Sequence, residues 1–392
     1  MNDSGKKHAT LSASGSKRWL TCTPSAQLEQ RFENTTSSYA EEGTFAHALG
    51  ELKIGRQIAN TVKPSVYKTT LAQMQKHPLY SKEMEDCVDQ YVQIVWERFM
   101  QAKNACPDAS ILLEQRLDFS PWVPDGFGTG DVLIIADQTI EVIDYKHGKG
   151  VPVSAENNTQ MQLYALGAIN QFGFLYDIQT VRMTIVQPRI DNFSISEMEV
   201  EHLLDKAELY IKPRAQMAIA GEGDFVSGEH CRFCRAKATC RARAEENLHL
   251  AKYDFQDPFL LTDVEIGEVL LQVEELTKWA KDIQEYAQDQ AINHGYKWPG
   301  WKVVEGRSNR KYVDEVEVAG VLMEAGYEED KIFGPRPLHG ITAMEKVIGK
   351  KKFEELLNGL VIKPAGAPTL VPETDKRPEL NSAAAAADDF KN

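Results

Sequence analysis

Hydrophobic positions recur at helical spacing through the first hundred residues of the chain. The clearest stripe lies within residues 82–102 and consists of Met84, Cys87, Val88, Tyr91, Val92, Val95 and Phe99. Apolar residues three and four positions apart share one face of a helix, so this segment is predicted to be an amphipathic helix. A second helix is predicted over residues 39–54, and a short one follows Ser12. Because Cys87 lies on the apolar stripe, we assign it to the core.

From residue 111 onward the apolar positions begin to alternate, which is typical of strands. Strands are predicted over residues 111–117, 131–136, 139–145, 180–187 and 193–199, with helices over 158–170 and 200–219. The dipeptide Asp137-Gln138 is the predicted turn between the second and third strands. This order of elements predicts an α/β fold in which a mixed central sheet is flanked by helices.

The pattern changes again after residue 255. Thr262-Asp-Val-Glu265 is a capping box that opens a long helix, predicted to reach about residue 293. Further elements are predicted as a short strand after Trp298 and helices near 314–325 and 342–357. From residue 363 the chain is rich in Pro and Ala without an apolar period, so we expect disorder there. Three regions are therefore predicted: an α/β domain over 1–250, a helical or mixed accessory domain over 255–362, and a tail over 363–392.

Composition narrows the class of protein. The chain has 392 residues, of which 42% are hydrophobic and 26% charged, and its mean hydropathy is -0.39; these values are typical of a globular protein. No stretch approaches the roughly 18 apolar residues of a spanning helix, so we expect a cytoplasmic protein without membrane contact. Lys and Arg number 44 against 58 Asp and Glu, a net charge of -14. This excess opposes an all-over basic surface for nucleic acid but leaves room for a local basic groove.

Two carboxylates and a lysine are predicted to meet on neighbouring strands. Asp131 opens one predicted strand, while Asp144 and Lys146 close the next one. Residues two apart in a strand face the same side, so Asp144 and Lys146 project together. Paired carboxylates are hard oxygen ligands for Mg²⁺ or Mn²⁺, and an adjacent lysine can position water or offset phosphate charge. Asp-x-Lys is short and common, so solvated strand ends are the alternative interpretation.

The surrounding residues extend this pattern. Gly43 and His47 lie in the predicted helix 39–54, and Glu114 interrupts an otherwise apolar strand. Gln160 and Tyr164 are four residues apart on one helix face.

In this order the motifs resemble the RecB-like branch of the PD-(D/E)XK nuclease superfamily, over about residues 10–245. The resemblance implies a restriction-endonuclease-like core and phosphodiester hydrolysis. It also implies that His47, Asp131, Asp144 and the Tyr145 carbonyl bind Mg²⁺ or Mn²⁺. By the same resemblance, the catalytic residues are Asp131, Asp144, Lys146, Gln160, Tyr164 and, less directly, Glu114.

Three cysteines are clustered in one short segment, as Cys231-Arg-Phe-Cys234 followed by Cys240. Thiolates at such spacing are soft metal ligands. The residues alone leave three alternatives open, namely zinc, an iron-sulfur cluster and unligated thiols. His230 is the nearby candidate for a fourth zinc ligand, but it directly precedes Cys231. Cys106 is expected to be a free thiol.

The cysteine spacing and the segment from Ser12 to Pro24 resemble the iron-sulfur group of these nucleases, which includes AddB and the CRISPR-associated adaptation nucleases. That resemblance implies a [4Fe-4S] cluster, and its ligands would be Cys22, Cys231, Cys234 and Cys240. The cluster would act as a staple across the domain rather than in electron transfer.

Basic residues are concentrated near the cysteines and after the tryptophans of the C-terminal region. The candidates for DNA contact are Arg232, Arg235, Arg241, Arg307, Arg310 and Lys311. Basic side chains interleaved with aromatic ones suit a single-strand groove, and the alternative is a solvated charged surface. The region 255–392 also resembles part of uncharacterised phage-associated relatives.

We therefore expect a Mg²⁺- or Mn²⁺-dependent DNA exonuclease with a structural iron-sulfur cluster, acting in phage DNA recombination, replication or repair within the bacterial host cell. Its partners would be single-stranded DNA or duplex ends, together with a phage recombination or single-strand-binding protein. One alternative is a catalytically silent DNA-binding or end-holding subunit with the same fold. A further alternative is a zinc-stapled RNA-processing enzyme.

Overall fold

The structure is a computed structural model that divides the chain into two compact units, Met1–Val273 and Glu274–Asn392. The residues it describes are 9–33, 38–174, 176–248, 262–306, 310–333, 339–362, 364, 366–372 and 377–380. Within these ranges, none of the helices combines the length and the apolar character that crossing a membrane requires.

A five-stranded sheet forms the centre of the first unit, in the order β1-β2-β3-β4-β5. The strands are β1 (Ser110–Asp118), β2 (Phe127–Ala136), β3 (Thr139–Tyr145), β4 (Thr180–Gln187) and β5 (Asn192–Glu199). The pair β3–β4 is parallel and the other neighbours are antiparallel. The predicted mixed central sheet is thus confirmed.

The central strands β2 and β3 are buried on both faces. Leu133 and Val142 belong to one hydrophobic cluster with helix residues such as Leu163. Val132 and Ile143 point into a second cluster, on the opposite face of the sheet. Neighbouring residues in a strand face opposite sides, so a nearly continuous apolar run fills two cores at once.

Nine complete α-helices of the first unit lie in the described residues. They are α1 (Ser16–Thr21), α2 (Ser25–Leu28), α3 (Ser38–Gln57), α4 (Pro64–Met74), α5 (Lys82–Ala105), α6 (Thr159–Phe172), α7 (Val200–Lys206), α8 (Lys212–Ala220) and α9 (Arg241–Leu248). The predicted stripe of α5 is buried, and Ser81 caps its first turn by accepting a hydrogen bond from the Met84 backbone N–H. Cys87 is buried on that stripe, as expected.

The predicted helix over 200–219 is interrupted. A π-helical turn, Ala207–Ile211, separates α7 from α8. Pro213 lies in the first turn of α8, where its ring nitrogen has no hydrogen to donate to the preceding turn. A wider turn ahead of it accommodates that missing bond.

The start of β2 also differs from the sequence prediction. The strand begins at Phe127, so Asp131 lies in its middle rather than opening it. The sequence pattern did not indicate this start because it contains Gly128 and Gly130, and glycine is depleted in strands. A Cβ atom at Gly128 would lie 2.6 Å from Cε1 of Tyr164, so glycine is required there by the close approach of the tyrosine ring.

The second unit is smaller and has its own core. Its elements include most of α10 (Asp263–Asn293), then β6 (Trp301–Glu305), β7 (Lys311–Tyr312), α11 (Glu315–Glu324), α12 (Glu329–Ile332), α13 (Ile341–Ile348), α14 (Lys350–Leu356), β8 (Val361–Ile362) and β9 (Pro368–Pro372). Two short antiparallel pairs form, β6 with β9 and β7 with β8. Buried residues such as Leu322, Met344 and Phe353 make up the core.

Three sequence predictions bear on these elements. The capping box of α10 is confirmed, because Thr262 N and Oγ1 each donate to Glu265 Oε2 at 2.8 Å. The helix predicted over 342–357 is divided at Gly349, whose φ of 83° is left-handed. Part of the expected tail, Pro368–Pro372, pairs with β6. Residues 373–376 and 381–392 of that tail lie outside the described residues.

Candidate functional site

Three carboxylates occupy one row across the central sheet. In the register of β1 and β2, Leu113 pairs with Val132 and Gln115 pairs with Gly130. Glu114 therefore lies opposite Asp131. On the opposite edge of β2, Val132 pairs with Ile143 of β3. Asp144, the next residue of β3, therefore lies opposite Asp131. Residues opposite one another on antiparallel strands share a face of the sheet.

Backbone conformation at Glu114 is unusual. Its φ of 45° lies in the left-handed region, although it sits in a strand. Non-glycine residues rarely adopt this conformation, and strain of this kind is concentrated at functional sites. The turn of the backbone directs the Glu114 side chain to the group formed by Asp131 and His47.

His47 joins the row from helix α3, one helical turn after Gly43. Its Nδ1 lies 3.1 Å from Oδ1 of Asp131. The other oxygen of that carboxylate, Oδ2, accepts a hydrogen bond of 2.7 Å from the backbone N–H of Tyr145. His47, Glu114 and Asp131 each offer a ligand atom, and these atoms lie within 4.8 Å of one another. This donor set, one imidazole and two carboxylates, could hold a divalent metal ion.

Asp144 belongs to a second, adjoining network. Its Oδ2 lies 2.8 Å from Lys146 Nζ, and its Oδ1 accepts from Gln160 Nε2 at 3.0 Å. Lys146 Nζ in turn donates to Gln160 Oε1 at 3.2 Å, and Gln160 Nε2 is 3.3 Å from the Tyr164 hydroxyl. The structure therefore brings Asp144, Lys146, Gln160 and Tyr164 together, as the sequence pattern predicts.

The N-terminal turn of α6 positions Gln160 for this role. Asn158 caps the helix, with its side-chain oxygen accepting from the backbone N–H groups of Gln160 and Met161. Gln160 and Tyr164 follow on one face of the helix, four residues apart. The cap fixes the direction in which that face meets the end of β3.

Electrostatics at the site favour a bound cation. Burial and the nearby charges of Asp131 and Glu51 raise the pKa of Glu114 to about 7. Burial also raises the pKa of Asp144, and the Asp131 charge adds to that effect while Lys146 opposes it. Carboxylates crowded in a low dielectric are stabilised by positive charge. A divalent ion beside Lys146 would supply it.

Both basic groups of the site keep their positive charge more readily than usual. Burial lowers the pKa of His47, but its hydrogen bond to Asp131 and the Asp131 charge outweigh that effect, so the pKa is raised. Burial likewise opposes charge on Lys146, and the Asp144 carboxylate more than compensates, so its pKa is raised. Lys146 thus stands in the site as an ammonium group.

Sequence reasoning missed a group of residues behind the carboxylates. The Tyr91 ring stacks on Tyr145 at 4.7 Å, and its buried hydroxyl has no hydrogen-bond partner among the residues that the structure describes. The Tyr145 hydroxyl lies 2.8 Å from Nδ1 of His147, and His147 Nε2 is 3.4 Å from Glu42 Oε1. Tyr91 was assigned to an apolar stripe, which carries no signal for its hydroxyl. His147 follows directly on Asp-Tyr-Lys and could have been noticed there.

The four cysteines near the chain ends of the first unit line one small cavity. Cys22 follows α1, Cys231 lies in the 3-10 helix Glu229–Phe233, and Cys234 and Cys240 come after it. All four are free thiols. Among the described residues, no three of these thiols come within 4.8 Å of one another. Zinc–sulfur bonds of 2.3 Å would require edges of only about 3.8 Å between sulfurs.

His230 lines this cavity, whereas Cys106 lies outside it. His230 Nε2 lies 2.9 Å from the carbonyl oxygen of Val226, which removes that nitrogen from the set of zinc ligands. Cys106 is half-buried at the end of α5.

The predicted DNA-contact residues are dispersed. Arg232 and Arg241 are exposed beside the cysteines, while the Arg235 guanidinium donates to the carbonyls of Glu29 and Phe32 at 3.5 and 3.4 Å.

In the second unit Arg310 forms an ion pair of 2.6 Å with Glu345, so its charge is offset. Lys311 is exposed in β7, and Arg307 lies outside the described residues.

Comparison with known proteins gives a family for the chain. A solved structure called SSO0001 is 15% identical to it, with 58% of this chain and 96% of the other covered and a TM-score of 0.21. A family described as "Protein of unknown function (DUF2800)" matches residues 8–378. Because that match spans nearly the whole chain, the protein belongs to the DUF2800 family.

Proposed function

We propose that this DUF2800 protein is a Mg²⁺- or Mn²⁺-dependent DNA nuclease of the RecB-like PD-(D/E)XK type. It would act as an exonuclease in phage DNA recombination, replication or repair. The observation that carries the proposal is the junction of two groups at one row of the sheet. One group is a metal-ligand set on β1, β2 and α3, and the other is a buried carboxylate–lysine–glutamine network on β3 and α6.

His47, Glu114 and Asp131 would hold the metal ion. Asp144 would complete the set through Oδ2, which is buried and lies 2.8 Å from Lys146 Nζ. A divalent ion held by these residues would supply Lewis-acid chemistry, polarising the scissile phosphate and making a bound water more acidic. The inclusion of Glu114 extends the ligand set that the sequence pattern implied, and its support is the 4.8 Å grouping with His47 and Asp131.

Lys146 would act on the attacking water or on the phosphate oxygen beside it. Its ammonium group is held at 2.8 Å from Asp144 and 3.2 Å from Gln160, so it enters the reaction already oriented. A fixed positive charge of this kind stabilises charge that develops on the phosphate in the transition state. Gln160 and Tyr164 position the lysine and would contact the DNA backbone.

The cysteine cavity would hold a [4Fe-4S] cluster. Its support is the convergence of four free thiols on one cavity, because four cysteine thiolates are the usual ligand set of such a cluster. Arg18 and Lys237 also line the cavity and would offset the charge of the thiolates. The cluster would join the segment after α1 to the loop before α9, and so act as a staple.

The nuclease proposal is tested by DNA degradation. Purified protein is incubated with end-labelled single-stranded and duplex DNA in Mg²⁺, in Mn²⁺ and in EDTA. We expect degradation that needs the metal and that Asp144→Asn abolishes. Glu197→Gln is the matched control, because this exposed carboxylate lies on β5 of the same sheet and pairs with Arg182. The control should degrade DNA at the wild-type rate.

Two results would contradict the proposal. Asp144→Asn with wild-type activity would show that the site is wrongly assigned. DNA binding without cleavage under any divalent ion would favour a catalytically silent DNA-binding subunit instead. Appearance of mononucleotides from one labelled end, before internal fragments, would identify exonuclease action.

A further inference from the structure

The second unit contains an aromatic cleft that lies outside the proposed nuclease site. It has a volume of about 390 Å³ and is bounded by the end of α10 and the pair β6–β9. Its lining includes Tyr296, Lys297, Trp298, Trp301, Lys302 and Glu379. This volume is within the range of small-ligand sites, roughly 300–1,000 Å³.

Aromatic rings of the cleft are arranged around one fixed tryptophan. Trp298 is anchored by the hydrogen bond from its Nε1 to the Ala287 carbonyl, at 2.9 Å. Tyr296 packs on it with the ring centroids 4.4 Å apart. Tyr296 remains 53% exposed and Trp301 49% exposed. Large aromatic surfaces left in water around a pocket are typical of binding sites.

The backbone holds these rings in place. Gly295 and Gly300 have φ values of 66° and 79° and bracket the aromatic segment, which allows two tight turns. The Tyr296 N–H donates to the Gln290 carbonyl at 3.0 Å, and the Trp301 N–H to that of Trp298 at 3.1 Å. The cleft is therefore formed in advance of any ligand, which lowers the entropy lost on binding.

Charge in the cleft is positive, in contrast to the chain as a whole. Lys297 and Lys302 line it together with one carboxylate, Glu379. The closest approach of Lys297 Nζ to Glu379 is 3.7 Å, at an exposed position, where an ion pair contributes little. A ligand that suits both the rings and the lysines has flat faces and negative charge.

We propose that this cleft binds a short stretch of single-stranded DNA. Bases would stack on Tyr296 and Trp301, while Lys297 and Lys302 would contact phosphates. Stacking platforms beside basic side chains are how many proteins hold single strands without sequence preference. The choice of DNA rests on the nuclease function proposed above. A proline-rich peptide, which also docks on aromatic grooves, is an alternative occupant that the test separates.

The experiment measures fluorescence anisotropy of a labelled oligothymidylate of about 12 nucleotides, a length within the site sizes of single-strand binders. The full-length protein is used in EDTA, so that metal-dependent cleavage does not interfere. Tyr296→Ala and Trp301→Ala should each weaken binding by about 5- to 100-fold, which corresponds to the loss of one stacked base. Trp301→Phe should restore most of the affinity.

Matched controls separate the cleft from general effects. Trp96→Ala removes a tryptophan of similar exposure, 45%, from α5 of the first unit, and should change the affinity less than twofold. Lys302→Gln should reduce the salt dependence of binding, because one phosphate contact is lost. Thermal unfolding of each variant verifies the fold. Should Trp301→Ala be unstable in its strand, Tyr296→Ala on the preceding loop gives an independent measurement.

The outcomes distinguish this proposal from the nuclease proposal. Unchanged affinity in the Tyr296→Ala and Trp301→Ala variants would contradict the proposal that the cleft binds single-stranded DNA, whether or not wild-type protein cleaves DNA. Tight binding of a proline-rich peptide, with no effect of either variant on DNA, would also overturn it. Failure of the nuclease site would appear in the cleavage assay, whereas the Tyr296→Ala and Trp301→Ala variants leave that site unchanged and report on the cleft alone.

Discussion

The carboxylate site and the cysteine cavity of the first unit are held in place by different means. The carboxylates stand on strands β1, β2 and β3, whose ladder continues on both sides of the row. The cysteines stand on turns and a 3-10 helix, joined by side-chain contacts such as Arg18 to the Phe233 carbonyl at 3.3 Å. A sheet keeps its shape when one polar side chain is replaced, whereas turns depend on what links them.

Effects on catalytic activity and effects on the stability of the fold should therefore be separable in variants. Substitutions in the carboxylate site are expected to change activity and to leave the fold intact. Substitutions of the cysteines are expected to change stability first, and activity only as a result. The predictions below test this separation, in order of decreasing expected effect.

Removal of one cysteine should have the largest effect on the fold. Cys231→Ser is expected to lose iron and to lower the free energy of unfolding by about 2–5 kcal/mol, the range for losing a cross-link between distant segments. Iron content and chemical denaturation of anaerobically purified protein measure this. Cys106→Ser, outside the cavity, is the matched control. Stoichiometric zinc in wild-type protein, or full stability without iron, would contradict the staple.

Replacement of Lys146 should have the largest effect on catalysis. Lys146→Gln is expected to lower the rate of DNA cleavage by about 10²–10³-fold, because an oriented charge beside the reacting phosphate is lost. Lys149→Gln is a matched control, since this exposed lysine pairs with Glu83 on the surface. Single-turnover cleavage at saturating enzyme gives the rate. Equal losses in both variants would mean that general charge, rather than the site, accounts for the effect.

The elements around the carboxylate site differed in how well the sequence predicted them. Periodicity gave β3 and β4 to the residue and the start of α5, whose end lies three residues beyond the predicted one. The start of β2 was missed because it contains two glycines, which are packed against residues distant in sequence: Gly128 lies against Tyr164 and Gly130 against Leu117. Local patterns cannot reveal a requirement that comes from tertiary contact.

The sequence predicted which residues form the candidate site more completely than it predicted their arrangement. Asp144, Lys146, Gln160 and Tyr164 lie together as the motif implies. The association of Glu114 with His47 depends on a left-handed backbone at Glu114, and neither strand alternation nor composition indicates that conformation. The row of three carboxylates became evident only from the strand register.

Glu114 provides a smaller test through pH. Its pKa of about 7 in the folded protein lies above the ordinary value of 4.5, so the folded state holds a proton that the unfolded state has lost between these pH values. In metal-free protein, stability should therefore fall as pH rises from about 4.5 to 7. Glu114→Gln should flatten this dependence. Saturating Mn²⁺ should flatten it in the wild type, because the ion binds the carboxylate form.

Thermal unfolding between pH 4 and 8, with and without Mn²⁺, measures this dependence. Glu97→Gln, an exposed carboxylate on α5, is the control and should retain the wild-type profile. An identical profile in wild-type protein and Glu114→Gln would show that Glu114 is not the buried acid.

The smallest expected effect concerns the two stacked tyrosines behind the site. Within the described part of the chain the buried Tyr91 hydroxyl has no hydrogen-bond partner, so Tyr91→Phe should stabilise metal-free protein by about 1 kcal/mol. Tyr145→Phe is the matched variant with the opposite sign, because its hydroxyl bonds His147, and it should destabilise by about 1 kcal/mol. Chemical denaturation in EDTA measures both. If Tyr91→Phe instead destabilises, its hydroxyl has a partner in solution, and the region behind the carboxylates is less dry than the structure indicates.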